Sequence, residues 1–91
     1  MGFTLYQTGI LPGLPDKQVF SEDTITVENF FSMLSTQYGA QALEEVLDQG
    51  GDVAEGAMVI LNGQILRRPQ ILSTVIPQGS EIVISALIAG G

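Results

Sequence analysis

The amino-acid sequence predicts one α+β domain, in which a mixed sheet of four to five strands is backed by one main helix and a shorter second helix. A chain of 91 residues has the length of a single domain. Segments with strand character lie in both halves of the chain, and a helical repeat of apolar residues lies between them. Strands and helices segregated in this way are typical of a single sheet with helices packed against it.

The first two predicted strands, residues 3–6 and 18–20, form an opening hairpin. The connection between them, residues 9–15, is rich in glycine and proline. It also contains three large apolar residues, Ile10, Leu11 and Leu14. We expect these side chains to pack against the core, with contact to a partner protein as the alternative.

A main helix is predicted to begin after Thr26, which is a suitable N-cap, and to end at Gly39 in the left-handed conformation. Apolar residues recur along it with the i, i+3, i+4, i+7 spacing of one buried face: Val27, Phe30, Phe31 and Leu34. The shorter second helix is predicted over residues 40–47, where Leu43, Val46 and Leu47 supply its apolar side.

The second half of the chain has strand character. An apolar strand over residues 58–61 is followed by Asn62-Gly63, a strong hairpin signal, and by a returning strand at residues 64–66. A turn at residues 77–79 precedes the last strand, residues 81–87. This strand is apolar on both faces, so we place it inside the sheet. The core is predicted to include Phe30, Phe31, Leu34, Val59 and Ile82.

Composition excludes several classes of function. The chain has no cysteine and no histidine, so a thiolate nucleophile, a disulfide framework and the usual acid–base and metal-binding residues are missing. We expect neither an enzyme nor a metal site. A net charge of −7 opposes nucleic-acid binding, and no stretch is long and apolar enough for a membrane span. We expect a cytoplasmic protein.

Charged residues in the middle of the chain give weaker signals. Five acidic residues lie close together without the spacing of a calcium loop: Glu44, Glu45, Asp48, Asp52 and Glu55. We interpret them as solvated surface. Arg67 and Arg68 are two of only three basic residues, and they either pair with the acidic helix, contact a partner protein or remain solvated.

The sequence ends in Gly90-Gly91, directly after an apolar strand. Two glycines carry no Cβ, so such a tail can thread a narrow channel and present a carboxylate to another protein's active site. At average glycine usage, fewer than about one chain in a hundred would end in two glycines by chance. A frayed end is the other simple interpretation. We expect a flexible tail at residues 88–91 of a single domain that spans residues 1–91.

Three segments near the end of the chain carry a resemblance to a known family: residues 59–63, 77–83 and 88–91. They place an asparagine turn after an apolar strand, a Gly-Ser-Glu turn before the last strand, and Gly-Gly at the end. In these features the chain resembles the β-grasp sulfur-carrier proteins, namely the thiamine sulfur carrier ThiS and the small subunit of molybdopterin synthase, MoaD. The resemblance implies a ubiquitin-like β-grasp fold.

Different parts of the chain resemble the two branches of this family. The ending at residues 87–91 and the Arg67-Arg68-Pro69 segment are more similar to the thiamine carrier. The chain length, the loop at residues 9–15 and the second helix are more similar to the molybdopterin synthase subunit. The family's usual Gly-Asp before the last strand is Gly79-Ser80-Glu81 here, and the paired prolines of the molybdopterin branch are absent. The pathway is therefore left open.

The resemblance implies a function in which this chain is a co-substrate. A ubiquitin-activating-type adenylyltransferase would use ATP to convert the Gly91 carboxylate to an acyl-adenylate, and a sulfur donor would then replace the adenylate. The resulting thiocarboxylate would pass its sulfur to thiazole synthase or to the large subunit of molybdopterin synthase. The chain itself would bind no cofactor. The residues expected to contact these partners are Leu87, Ile88, Ala89, Gly90, Arg67 and Arg68.

The same activated carboxyl group could instead join a substrate lysine, as in a ubiquitin-like protein modifier. Lys17 is the only lysine, so chains of such a modifier could branch only there or at the N-terminal amine. A binding module without C-terminal chemistry is the third possibility. In that case, deletion of Gly90 and Gly91 would have no effect.

Overall fold

The computed structural model describes residues 2–86. It contains seven strands, one α-helix and one 3-10 helix. The strands are β1 (Phe3–Gln7), β2 (Lys17–Phe20), β3 (Ile25–Thr26), β4 (Ala57–Leu61), β5 (Gln64–Ile65), β6 (Val75–Ile76) and β7 (Glu81–Ala86). The α-helix is α1 (Val27–Tyr38), and the 3-10 helix comprises Ala40–Leu43.

Five of the strands form one mixed sheet in the order β2-β1-β7-β4-β5. β1 and β7 are parallel, and the other neighbours are antiparallel. β7 therefore lies at the centre, between β1 and β4, as its two apolar faces predict. β3 and β6 form a separate two-stranded sheet that the sequence did not reveal. Each has only two residues, too few to show an alternating pattern.

The core lies between the inner face of the sheet and α1. The five predicted core residues, Phe30, Phe31, Leu34, Val59 and Ile82, are all buried. Phe30 packs edge to face against Phe3 and Phe20, with ring centroids 5.0 and 5.1 Å apart. This geometry is favourable for aromatic pairs, and it fixes α1 across β1 and β2.

The ends of α1 agree with the sequence prediction, with one difference in backbone conformation. The Thr26 hydroxyl accepts a hydrogen bond from the Asn29 N–H at 3.2 Å, as an N-cap should. Gly39 ends the helix, and its N–H donates to the Ser35 carbonyl. Its φ of 89° is combined with a ψ of 155°, so the residue is extended rather than left-handed helical. This region is essentially restricted to glycine.

The predicted second helix over residues 40–47 is wrong, because only a 3-10 helix at Ala40–Leu43 forms there. The N–H groups of Ala42, Glu44 and Val46 donate to carbonyls three residues back, and only the Leu47 N–H donates four residues back, to the Leu43 carbonyl. So short a segment, without a side-chain N-cap, gains little from an α-helix, since nucleation is costly. Leu47 also forms an isolated antiparallel β-bridge with Val53, so the chain is no longer helical at this residue.

The connection between β1 and β2 is part of the core, as expected from its apolar residues. Ile10, Leu11 and Leu14 are all buried. Gln7, which is also buried, donates from Nε2 to the carbonyls of Leu14 (2.9 Å) and Pro15 (3.3 Å). Its Oε1 accepts from the Leu11 N–H at 2.9 Å. One amide side chain thus fixes three points of this loop.

The turn after β4 is fastened to the turn before β7. Asn62 Nδ2 donates to the Ser80 hydroxyl at 3.1 Å, and the Glu81 N–H donates to Asn62 Oδ1 at 3.0 Å. Ser80 is buried. The asparagine turn and the Gly-Ser-Glu turn, two of the sequence features that carried the family resemblance, therefore contact each other and have a structural role.

Within residues 2–86, no helix has the length and apolarity that a membrane crossing needs.

Candidate functional site

The centre of the candidate site is the end of β7. Its last residue, Ala86, pairs with Ala57 at the start of β4. Five of the predicted site residues follow directly in the sequence and lie outside the described residues: Leu87, Ile88, Ala89, Gly90 and Gly91. The structure therefore describes the base from which these residues continue.

This base is held on both sides. On one side, β4 pairs with β7 along five consecutive positions, up to the Ala57–Ala86 pair. On the other side, β1 pairs with β7 as far as Gln7 and Ile84, and a hydroxyl hydrogen bond joins Thr8 Oγ1 to Ser85 Oγ at 3.0 Å. The last residues of β7 are thus held by both neighbouring strands.

The outer face of the sheet, opposite α1, carries an apolar row that reaches the same strand. The strand registers place five residues on a single line across all five strands: Lys17, Tyr6, Val83, Ile60 and Ile65. Met58, paired with Ser85, lies on this face closer to the end of β7. We call these six residues the outer row.

The outer row is only partly covered by the rest of the described chain. Ile65 is 48% exposed, and Tyr6, Met58, Ile60 and Val83 are half-buried. The Lys17 ammonium lies 5.8 Å from the centroid of the Tyr6 ring, within the range of a cation–π contact. A partly exposed, mainly apolar row that crosses β7 has the character of a protein-binding surface. The outer row is not evident from the sequence, although alternation along β1 and β4 contains part of the signal.

Arg68 is one of the two arginines predicted to contact a partner protein. It pairs with residues 48–55, which we call the acidic loop. Its guanidinium donates to the Val53 carbonyl at 3.0 Å and lies 3.4 Å from a Glu55 carboxylate oxygen and 3.7 Å from one of Asp48. Arg68 thus pairs with acidic residues, as one alternative expected, but these belong to the loop before β4 rather than to a helix. Arg68 connects the segment after β5 to the segment before β4.

Arg67 is placed differently. Within residues 2–86, no carboxylate oxygen lies within 4.0 Å of its side-chain nitrogens. Arg67 lines a surface depression of about 330 Å³, together with Arg68, Leu66 and Ala57. Because Ala57 pairs with Ala86, this depression adjoins the end of β7. Both predicted arginines therefore lie at this depression, and within residues 2–86 only Arg68 has a carboxylate partner.

The acidic residues are more than the solvated surface that their spacing suggested. Asp48 Oδ1 accepts from the N–H groups of Gly50 (2.9 Å) and Asp52 (3.1 Å), which closes the loop before β4. Asp48 and Glu55 face Arg68, whereas Glu44 and Glu45 are exposed. In the part of the chain that the structure describes, no group of three acidic side chains is arranged to hold a metal ion.

A five-stranded mixed sheet with a central parallel strand pair, crossed by one helix, defines a ubiquitin-like β-grasp protein. The site fits this class, because the central strand runs directly into the terminal segment. The chain belongs to the ThiS family, which matches residues 8–91. This membership places it among sulfur carriers and ubiquitin-like modifiers, small proteins that are generally not catalysts themselves. A comparison with curated proteins gives no match.

Solved structures confirm the fold. SAMP1 from Haloferax volcanii is similar over the full length of both chains, with a TM-score of 0.73 and 18% identity. The HVO 2177 protein from Haloferax volcanii has a TM-score of 0.74 and 21% identity; the alignment covers 100% of this chain and 87% of the HVO 2177 chain. Urm1 from Trypanosoma brucei has a TM-score of 0.75 at 15% identity, with 99% of this chain and 95% of that chain covered.

Proposed function

We propose that this protein is a sulfur carrier whose Gly91 carboxylate is adenylated by a partner enzyme and then converted to a thiocarboxylate. The thiocarboxylate would donate sulfur in the biosynthesis of a cofactor, either molybdopterin or the thiazole of thiamine. The observation that carries this proposal is the family match, which runs to residue 91 and so includes Gly90-Gly91.

The chemistry explains why activation is needed. A carboxylate is a poor electrophile at neutral pH. Attack of a Gly91 carboxylate oxygen on the α-phosphorus of ATP forms the acyl-adenylate and releases pyrophosphate. A sulfur nucleophile then attacks the carbonyl carbon, and AMP leaves with the bonding electron pair. ATP, the sulfur donor and the catalytic groups belong to the partner enzymes in this proposal, which agrees with a chain that contains no cysteine or histidine.

The described residues support three separate roles. The pairing of β7 with β1 and β4 would hold the base of the tail while the partner processes its end. The outer row would dock the adenylyltransferase beside that base, and the sulfur-accepting enzyme in turn. Arg67 would contact a carboxylate on one of these partners, because it is exposed and adjoins the Ala57–Ala86 pair.

A protein modifier is the second candidate. It is favoured by one observation, the likeness to proteins described as small archaeal modifiers, including SAMP1 from Methanosarcina acetivorans, which is 20% identical with a TM-score of 0.68. In this case, the Gly91 acyl group would form an amide with a substrate lysine, and AMP or a thiol would leave. The only lysine of the chain itself, Lys17, lies against Tyr6 in the outer row, where a docked partner would cover it.

The intact mass of the protein isolated from its own cells tests the proposal. A fraction heavier by the mass difference between sulfur and oxygen is the expected result, and it should be absent from a variant that lacks Gly91. Conjugates to other proteins through Gly91, without this fraction, would favour the modifier. An unaltered mass and no conjugates, in cells that require the pathway, would contradict both candidates.

The Gly91→Ala variant provides a matched control. The added methyl group should reduce adenylation by a partner enzyme without changing the thermal stability of the domain, because a terminal residue contributes little to the core. Pyrophosphate release measures the first property, and circular dichroism measures the second. Full adenylation of this variant would count against a narrow channel for the tail.

A further inference from the structure

A second surface feature lies on the helical side of the molecule, away from the outer row. It is a groove of about 430 Å³ between α1 and the segment that follows it, residues 40–51, with Leu72 closing one side. This volume is within the range of about 300–1,000 Å³ that is typical of binding sites for small ligands or single anchoring side chains. We call it the helix groove.

The floor and the rim of the helix groove differ in chemistry. The floor contains four apolar side chains, all buried or half-buried: Phe31, Leu43, Leu47 and Leu72. The rim is formed by the exposed carboxylates of Glu28, in the first turn of α1, and of Glu44, directly after the 3-10 helix. The hydroxyl groups of Ser32 and Ser35 on α1 also line the groove. An apolar body with cationic groups at its ends would satisfy both parts.

The charge around the groove is of one sign. None of the described residues that line it is basic. All three basic residues of the chain lie elsewhere: Lys17 in the outer row, and Arg67 and Arg68 after β5. A cationic group that enters the groove therefore meets no like charge from its lining, and the net charge of −7 attracts it over a longer range.

We propose that the helix groove is a docking site for a basic segment of a partner protein. One or two aliphatic side chains of that segment occupy the floor, and Arg or Lys side chains on either side meet Glu28 and Glu44. No residue of the five-stranded sheet lines the groove, so a bound segment leaves the outer row and the end of β7 accessible. The inference goes beyond the proposed function and does not depend on it.

Charge also argues against a second copy of this chain as the occupant of the helix groove. The apolar residues Leu87 and Ile88 of a second copy could enter the floor, but residues 84–91 contain no Lys or Arg that could meet Glu28 and Glu44. A second copy also carries the same net charge of −7, so its approach to this acidic rim is opposed by like-charge repulsion. A basic segment avoids this repulsion.

A nuclear magnetic resonance titration of the ¹⁵N-labelled protein tests the proposal directly. The probe is the peptide acetyl-Arg-Leu-Leu-Arg-amide at low ionic strength, and the matched controls replace its two arginines with glutamate or its two leucines with serine. We expect saturable shifts confined to the amides of Ser32, Ser35, Leu43 and Leu47. The glutamate peptide should cause none, and the serine peptide should bind more weakly.

Substitutions separate the two features of the groove. Glu28→Gln and Glu44→Gln should each weaken the affinity about two- to fivefold, the effect typical of an exposed ion pair. Glu22→Gln, an exposed glutamate outside the groove, is the control and should have no effect. Ser32→Phe should fill the groove and abolish binding while leaving both carboxylates in place. Ser35→Leu serves the same purpose if the first variant does not fold.

Three results would overturn the proposal. One is the absence of saturable binding at millimolar peptide. Another is a set of shifts spread over the acidic surface or confined to the outer row. The third is unchanged affinity in folded Ser32→Phe or Ser35→Leu together with loss in the glutamate variants, because diffuse charge alone would then account for binding.

Discussion

Arg67 and Arg68 are adjacent in the sequence but differ in what they contact. Both arginines line the depression beside the Ala57–Ala86 pair. Only the Arg68 guanidinium, among the described residues, faces carboxylates, those of Asp48 and Glu55, and it also donates to the Val53 carbonyl. The sequence does not distinguish the two neighbouring arginines, because the residues that Arg68 contacts are distant from both in the chain.

Arg68→Ala should therefore lower the free energy of unfolding by about 1 kcal/mol, mainly through loss of the hydrogen bond to Val53. The partly exposed ion pairs add little to this. Arg67→Ala should leave stability within about 0.5 kcal/mol of the wild type. Urea denaturation of both variants measures the difference, and equal losses would contradict the assigned roles.

Gly2 is a second residue for which the structure makes a definite prediction. Its φ is 133°, and a Cβ at this position would lie 1.9 Å from the Phe20 carbonyl oxygen. Gly39 also has a positive φ but no atom within 4 Å of the position that a Cβ would take. Gly39→Ala should cost about 1–3 kcal/mol through backbone strain alone.

Gly2→Ala should cost more than Gly39→Ala, because strain and a clash with backbone are combined. Urea denaturation measures both free energies of unfolding. A smaller loss for Gly2→Ala than for Gly39→Ala would show that the start of β1 can move away from β2, and would contradict the close approach described here.

At the scale of elements, the connection between β1 and β2 depends on one buried amide. Gln7→Leu preserves the approximate size of the side chain but leaves the Leu11 N–H and the carbonyls of Leu14 and Pro15 without their partner. We expect a loss of about 2–3 kcal/mol in the free energy of unfolding, since unsatisfied buried groups are costly.

Gln18→Leu in β2 is the matched control. Among the described residues, the Gln18 side chain forms hydrogen bonds only with the exposed Tyr38 hydroxyl. Its loss should stay within about 0.5 kcal/mol. Amide hydrogen exchange provides a second measurement: protection of the Leu11 N–H should fall in Gln7→Leu alone. Equal exchange in both variants would argue against the role of Gln7 in this loop.

The elements also differ in how well their own sequence specifies them. α1 has an apolar face, a capping threonine and a terminal glycine, so its existence and limits are encoded locally. Residues 40–47 have apolar residues but no cap, and they end at the Leu47–Val53 bridge. β3 and β6 are paired across fifty residues of sequence, and nothing within either two-residue segment predicts this.

For the whole molecule, the outer row and the end of β7 together suggest how a partner enzyme is recognised. If the proposed adenylyltransferase docks on the outer row, Ile65→Asp should raise its KM for this protein about tenfold or more, since a charge in the apolar part of an interface is unfavourable. The fold should be retained, because Ile65 is already 48% exposed on an edge strand.

Val75→Asp is the matched control for this prediction. Val75 has nearly the same exposure, 47%, but lies in β6 of the small sheet rather than in the outer row. Pyrophosphate release gives the KM, and circular dichroism verifies the fold of both variants. An equal effect of the two substitutions would place the docking surface elsewhere.

The sequence by itself determined the α+β class, the buried face of α1, the interior position of β7, the five core residues and the family resemblance. These depend on local periodicity, capping and turn residues, which each segment carries within itself. Only the tertiary structure decided the outer row, the pairing of Arg68 with the acidic loop, the β3–β6 sheet and the helix groove. Each of these joins residues that are distant in the chain, so it depends on strand register and packing rather than on any local pattern.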